Sequence, residues 1–457
     1  MQTIFISLLI PIFLFGHSID FNNALEKTIQ NNKNLKAKQK EIDMANLDLK
    51  TAEGLNYGEL IFSENILKTN HAGHVFGLKL ASREASFADF GFNEFLALSG
   101  AGASGSKILA TQPENLNFPE DRTNYETKVT YSLPIFTGFK LDSAKKMAKL
   151  QLLAKKALYS FDEKKLKLEL VKSYNGVVAA KEFIKAAKKA KEATTSFVYF
   201  AHELYKEGLV TNIDFKQAKV HDMGVDSKIV EATNRFKLAL AYLRFLTNDS
   251  TITDVENFQI ISIENKPLEI LKNEVLNMRE DYKWMELNTK TLKSKIDFEK
   301  SSLFPTVGAQ LEYGFNNDTF NDFDNDHDYY MAAVGISYKI FDGMVAKNKT
   351  QKAKLQYKQA IDYFEYMKDG ILLEVEKSYY TMKSKNKILL QKQKAQKLAA
   401  EVLEQSRQMY ENQLINMNEL LTQQANEQKA NAEAILAKYD AVLANATLKI
   451  SLGKDIK

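Results

Sequence analysis

The sequence predicts a mainly α-helical chain with a small membrane β-barrel: a long α-helical coiled-coil barrel plus four β-strands per chain, carried by an internal duplication. Three observations lead there. The chain matches itself at a shift of 205 residues. Its six prolines leave 135–266 and everything after 305 free of proline, so two very long segments can be helix. Short segments next to those helices alternate greasy and polar residues, as two-faced strands do.

Residues 4 to 15, IFISLLIPIFLF, form an apolar block followed by Gly16-His17-Ser18. This predicts a signal peptide over 1–18, cleaved near Ser18, although the first basic residue is Lys27 and only the amino terminus supplies positive charge before the block. The competing reading is a buried N-terminal strand or helix. Beyond it no run approaches the ~18 to 20 apolar residues that a helix needs to cross a bilayer. A membrane span must then be a closed β-barrel.

The mature chain reads as two repeats, 19–260 and 261–457. Tyr125, Val129, Ser132, Ile135, Phe136 and Gly138 fall on Tyr330, Val334, Ser337, Ile340, Phe341 and Gly343, and Ala148-Lys149-Leu150-Gln151 recurs as Ala353-Lys354-Leu355-Gln356. Each repeat predicts a helical segment (20–53, 267–300), a strand, a loop, a second strand and a very long helical run. In 125–135, Tyr125, Thr127, Val129, Tyr131, Leu133 and Ile135 make one face and Glu126, Lys128, Thr130 and Ser132 the other. The strand after Pro305 sets Val307, Ala309, Leu311, Tyr313 and Phe315 against Thr306, Gly308, Gln310 and Glu312; 330–340 follows the same rule, and 57–67 is the least regular of the four. Such segments match transmembrane barrel strands. Four strands cannot close a barrel without exposed edges, whereas three copies supply twelve. The polar positions Glu126, Lys128, Gln310 and Glu312 are expected to line the lumen.

The helical runs Gly138–Gly208 and Gly343–Gln413 are on the order of 100 Å long. Leu150, Leu153, Ala157, Phe161, Leu168, Val171 and Val178, and then Ile361, Phe364, Ile371, Val375, Tyr379, Met382 and Leu389, keep threes, fours and sevens, which predicts coiled-coil seams.

Ser-Leu-Pro-Ile-Phe-Thr-Gly (132–138) and Ser-Tyr-Lys-Ile-Phe-Asp-Gly (337–343), each followed by a long helix, and the turn Gly-Leu-Val-Thr-Asn-Ile-Asp (208–214) resemble the TolC-like outer-membrane efflux protein family, the outer-membrane factors. The resemblance covers nearly the whole mature chain. It implies a homotrimer in the outer membrane of a Gram-negative bacterium, with a helical tunnel through the periplasm. It implies an exit duct for a tripartite system, partnered by a periplasmic adaptor and an inner-membrane pump, with no catalysis. The turn residues are Gly208, Thr211 and Asn416, and the family's aperture carboxylates fall on Asp214 and Glu419. Tyr410 keeps an aromatic nine residues before the second carboxylate, but the basic position is Ile415 and a further acidic one is Thr422, which leaves a Tyr410–Asp214 hydrogen bond as the expected latch. For each carboxylate the alternative is a helix cap.

Other signals are weaker. His71 and His74 are two imidazoles with no third ligand nearby, and the Asp318–Asp328 run lacks the glycine and closing glutamate of a calcium loop. Residues 140–191 hold fifteen Lys against five acidic residues, a solvated helix face or a share in adaptor docking. Net charge of +4 argues against nucleic acid as a partner, and zero cysteines exclude thiolate chemistry. No cofactor, metal or catalytic motif is expected. Residues 65–118, with a GAGASGS stretch, are expected to be a long, partly flexible loop. Type I protein secretion is the alternative within the fold; a soluble periplasmic coiled-coil adaptor or scaffold is the alternative outside it.

Overall fold

The computed structural model describes residues 17–264 and 266–456. The first half runs β1 (His17–Ile19), α1 (Phe21–Asn31), α2 (Lys33–Gly54), β2 (Glu59–Thr69), α3 (Ala72–Ala81), α4 (Phe92–Gly100), α5 (Gly105–Ala110), α6 (Glu114–Asn117), β3 (Arg122–Phe136), α7 (Lys140–Lys206), α8 (Asn212–Thr247) and β4 (Ile252–Val255). The second half runs α9 (Leu268–Val275), α10 (Glu280–Lys300), β5 (Thr306–Asn317), β6 (Asp328–Ser337), α11 (Val345–Glu411) and α12 (Met417–Ser451). The long helices α7 and α11 have 67 residues each, about 100 Å. Among the described residues no helix is long and apolar enough to cross a membrane.

The duplication is visible in the backbone itself. Left-handed residues occur at Gly138 and Phe139 and again at Gly343 and Met344, at Gly208 and Gln413, and at Asn248 and Gly453, each pair separated by the same 205 residues. Gly138 is required where β3 turns into α7: its φ is +63°, and a Cβ there would lie 2.5 Å from the Ser301 carbonyl oxygen.

One compact unit takes the described residues through Ala45, Gln151–Thr289 and Gln359 onward, so it draws on both repeats. Its main core joins Phe21, Leu170, Val171, Val177, Leu243, Ile252, Val442 and Ile450. Tyr174 is sealed in this core, with its ring edge-on to Phe21; its hydroxyl donates to the Ile19 carbonyl (3.2 Å) and accepts from the Glu256 amide (3.3 Å). That bond ties the helix to a small parallel pair, β1 with β4, which the sequence reading did not foresee. His17 and Ser18, the last two residues of the expected signal segment, take part in β1; the rest of that segment, 1–16, lies outside the described residues. On α7 the expected stripe is buried at Ala157, Val171 and Val178, but Leu153 is exposed while Leu152 and Ala154 on either side of it are buried.

A buried ion cluster closes the same unit. Arg279 donates to both carboxylate oxygens of Asp281 (2.8 and 2.5 Å), to Glu374 (2.8 Å) and to the Ser451 carbonyl (2.9 Å). Burial alone would lower its guanidinium pKa, but the facing carboxylates raise it.

The second unit, Asn46–Leu150 with Lys290–Lys358, holds an antiparallel sheet of order β2-β3-β5-β6. A bulge between Pro134 and Phe136 interrupts β3, where proline has no N–H to give the ladder. β6 stops at Ser337, so Tyr338 and Ile340 lie beyond the strand expected over 330–340. The 70–121 connection is not a loose loop; it carries α3 to α6. Except for Gly77 inside α3, its glycines fall at helix ends and turns, and its aromatic residues meet locally without a long period that sequence alone would reveal.

Removing one partner of a buried, hydrogen-bonded ion pair costs about 3–5 kcal/mol, since the other charge is left uncompensated. Arg279→Met is therefore expected to lower the urea midpoint sharply, and a midpoint unchanged from wild type would dismiss the cluster as a stabilising element. At Asp249, burial would raise the carboxyl, but Lys27 (2.6 Å) and the Thr251 hydroxyl and amide hold it down at about 2, from an ordinary 3.8. A depressed carboxyl stabilises fully above its unfolded pKa and loses that contribution as pH falls through the folded one. The stability gap between wild type and Asp249→Asn should be largest near neutral pH and close between about pH 4 and pH 2, as read by urea titrations at each pH.

Candidate functional site

Strand pairing fixes which side chains share a face. Asn65, Glu126 and Asn316 are in register, as are Ser63, Lys128, Gly314 and Tyr329, then Ile61, Thr130, Glu312 and Met331, then Glu59, Ser132, Gln310 and Ala333. On this polar face the Lys128 ammonium lies 3.2 Å from Glu126 Oε1 and 3.7 Å from Glu312 Oε1. The Tyr329 hydroxyl sits within hydrogen-bonding distance of both carboxylates, 3.1 and 3.0 Å. Asn65 donates to Glu126 (2.9 Å) and Thr130 to Glu312 (3.2 Å). Gly314 makes the cluster possible: a Cβ there would meet Lys128 Cβ at 2.8 Å and Tyr329 at 3.0 Å. Gln310 occupies the same face, between Ser132 and Ala333, away from the ionic group. Two carboxylates share one ammonium, so the cluster carries a net negative charge.

Tyr329 and Asn65 were not anticipated. Asn65 lies in the strand whose alternation is weakest. Tyr329 precedes the point where the β6 pattern was read to begin.

The opposite face joins Leu60, Phe62 and Ile66 of β2 with Tyr125, Val129, Tyr131, Leu311, Tyr313, Tyr330 and Val334. It is open: Phe62 is 68% exposed, Tyr330 83% and Val334 70%. Burying a side chain of this size is worth about 1.5–3 kcal/mol, so a continuous patch of them marks a surface that is covered in use.

The turns at the far ends of the long helices are built alike. After α7, Leu209 donates to the Leu204 carbonyl (2.9 Å) and Gly208 to Tyr205 (3.0 Å); after α11, Leu414 donates to Met409 (2.8 Å) and Gln413 to Tyr410 (2.9 Å). Both are helix stops with one left-handed residue. Thr211 then opens α8 with a capping box. Its hydroxyl accepts from the Asp214 amide (3.3 Å) and donates to Asp214 Oδ2 (2.8 Å), which also takes the Thr211 amide (3.0 Å). Asn416 opens α12 by accepting from the Glu419 amide at 2.9 Å, and the Glu419 carboxylate is exposed.

This corrects the expected latch. The Asp214 carboxylate is turned onto its own helix start, and the Tyr410 hydroxyl is buried without a hydrogen-bond partner. Tyr410 packs among Phe197, Ala201, Ala218, Met417, Leu420 and Leu421, and that burial, with the nearby Asp214 charge, raises its pKa. The His71 and His74 rings lie 4.6 Å apart, tilted by 44°, and among the described residues no group of three or more His, Cys, Asp or Glu is arranged to hold a metal.

Losing a threonine cap costs typically about 1 kcal/mol. Thr211→Ala is expected to speed amide exchange at the start of α8 by that amount. Tyr410→Phe should leave stability unchanged or raised, because it removes a buried hydroxyl that satisfies nothing. A Tyr410→Phe variant that unfolds earlier would mean the hydroxyl finds a partner after all.

Comparison with known proteins follows this geometry. The chain is similar in fold to the Campylobacter jejuni CmeC outer membrane channel (TM-score 0.78, 14% identity, covering 95% of this chain and 85% of that one). It is similar to the outer membrane protein VceC of Vibrio cholerae (0.77, 14%, 96% and 97%) and to the open state of the Neisseria gonorrhoeae MtrE outer membrane channel (0.76, 14%, 96% and 89%). A search of curated proteins finds no match. The family description "Outer membrane efflux protein" matches residues 95–249 and 271–454, which takes in most of both repeats. The chain belongs to the outer membrane efflux protein family.

Proposed function

We propose that three copies of this chain close one twelve-stranded barrel in the outer membrane and continue it as a helical tunnel, forming the passive exit duct of a tripartite export system. The carrying observation is the sheet: greasy and exposed on one face, ion-paired on the other, with β2 and β6 each left with one unpaired edge. Unpaired backbone groups are not tolerated in lipid, so β6 of one copy pairs with β2 of the next. The greasy face then meets lipid, and Glu126, Lys128, Gln310 and Glu312 line the lumen. Membership of an outer-membrane efflux family supports the location and the transport role.

Energy comes from elsewhere, through an inner-membrane pump and a periplasmic adaptor. The duct itself performs no catalysis. Asp214 and Glu419 stand near the periplasmic end, where Asp214 acts first as a helix cap and Glu419 is the carboxylate free to face passing ions. A charge ring in a narrow pore attracts counter-ions. The net negative cluster at Glu126 and Glu312, tripled around an axis, should favour cations.

Planar-bilayer recording of the detergent-purified protein, with its mass measured on the same sample, tests this reading. A trimer with discrete conductance steps and cation selectivity is expected. Glu126→Gln with Glu312→Gln should move the reversal potential in a salt gradient toward that of an unselective pore. A monomer that never conducts would end the proposal.

A further inference from the structure

The connection between β2 and β3 is folded. Lys79 pairs with Asp89, whose carboxylate also takes the Ser86 amide and hydroxyl (both 2.8 Å). Lys79 and then Ser86 hold the Asp89 carboxyl at about 2, so the pair is charged at any ordinary pH. Phe76 and Phe90 meet edge to face at 5.2 Å, and Val75 and Ser82 are buried.

Its position follows from register. Arg122 pairs with Thr69 and Asn124 with Leu67, so both stand on the face that carries Glu126 and Lys128. At this end of the sheet that face is covered: Arg122 is 8% exposed and Asn124 2%. The cover is the connection itself, since the Arg122 guanidinium donates to Ser82 Oγ (2.8 Å) and pairs with Glu84. The same short segment reaches the far edge strand. Arg83 donates to Asp328 Oδ1 (3.2 Å) and to the carbonyls of Asn325 and Asp326 (3.3 Å each), and His327 Nδ1 donates to the Ser82 carbonyl at 2.7 Å. Arg83 is left-handed (φ +59°), an uncommon state for a long side chain, and this turn lets Ser82, Arg83 and Glu84 all engage the sheet.

We propose that residues 70–121 form a lid across the polar face at the sheet end remote from the long helices, fastened at β3 by Arg122 and at β6 by Arg83 and His327, so that three lids narrow the outward mouth of the duct and set the size of what leaves. This rests on the polar face being the lumen. In the strand order β2-β3-β5-β6, a strap from β3 to β6 spans most of one chain's share of the rim. The family match begins at residue 95, so α3 and the fastening segment 82–84 lie outside the matched residues.

Because Thr69 and Arg122 are already paired, residues 70–121 can be replaced by a short Asn-Gly turn without disturbing the hairpin. Single-channel conductance and exclusion of polyethylene glycols of graded size would be measured on trimers of wild type, of this lidless chain, and of Arg83→Ala with His327→Ala. We expect conductance to rise about twofold or more and larger polymers to enter in the lidless trimer, with a smaller shift in the unfastened one. Wild-type conductance and cut-off in the lidless trimer would overturn the lid. Should that chain not assemble, an unchanged cut-off in the unfastened trimer overturns it equally. Adding Glu126→Gln and Glu312→Gln to wild type separates the two ideas: if selectivity moves but lid removal changes nothing, only the lid falls, and if selectivity does not move, the lumen assignment falls with it.

Discussion

A backbone N–H or C=O in hydrocarbon must find its partner within protein, because no water is there to take it. Everything else in this chain is arranged around that demand. The sheet satisfies its three internal ladders, β2 with β3, β3 with β5 and β5 with β6, and leaves β2 and β6 each with one edge unpaired within the chain. The side chains then sort by face. Leu60, Phe62, Tyr330 and Val334 stand where lipid can receive them, while Glu126, Lys128, Glu312 and Tyr329 satisfy one another on the other side.

The duplication solves the same demand economically. One design of strand, left-handed joint and long helix is used twice, and the joints recur at identical spacing even where the residue changes from Gly208 to Gln413 or from Asn248 to Gly453. At Gln413 the second copy takes the strain and at Asn248 the first does, since a residue with a Cβ is left-handed at a cost of about 1–2 kcal/mol. At the helix starts the chemistry drifts further. A reciprocal threonine–aspartate box opens α8, and an asparagine with an exposed glutamate opens α12, so the equivalent turns of the two repeats are not electrostatically equal.

Much of this was legible from sequence because it is periodic. Strand alternation, helix length and the 205-residue repeat are signals summed over many residues, and the strands and helices fall close to where those signals put them. What escaped was set by single contacts between distant residues. The 70–121 connection is held by Arg83 to Asp328 and His327 to Ser82, partners about 245 residues apart, and no local pattern announces them. On α7 one residue of the stripe, Leu153, stands exposed while Ala154 beside it is buried, and alanine is weak in any hydrophobic pattern. The Tyr410 latch failed for a related reason: a carboxylate three residues after a threonine has a near and well-oriented partner, and local geometry won over the longer reach.

The seam between β3 and β5 has a further consequence, for the order of assembly. It joins residues such as Asn124 and Asn316, 192 positions apart, and bringing such distant points together costs roughly 5 kcal/mol of chain entropy in a flexible polymer. Helices form locally in microseconds or less, so α7, α8 and α12 can pack around Leu170, Leu243 and Val442 first. That packing shortens the effective loop and makes the seam affordable. The membrane sheet therefore forms last, and until it does its greasy strands remain unassembled, a window in which the chain is prone to aggregate.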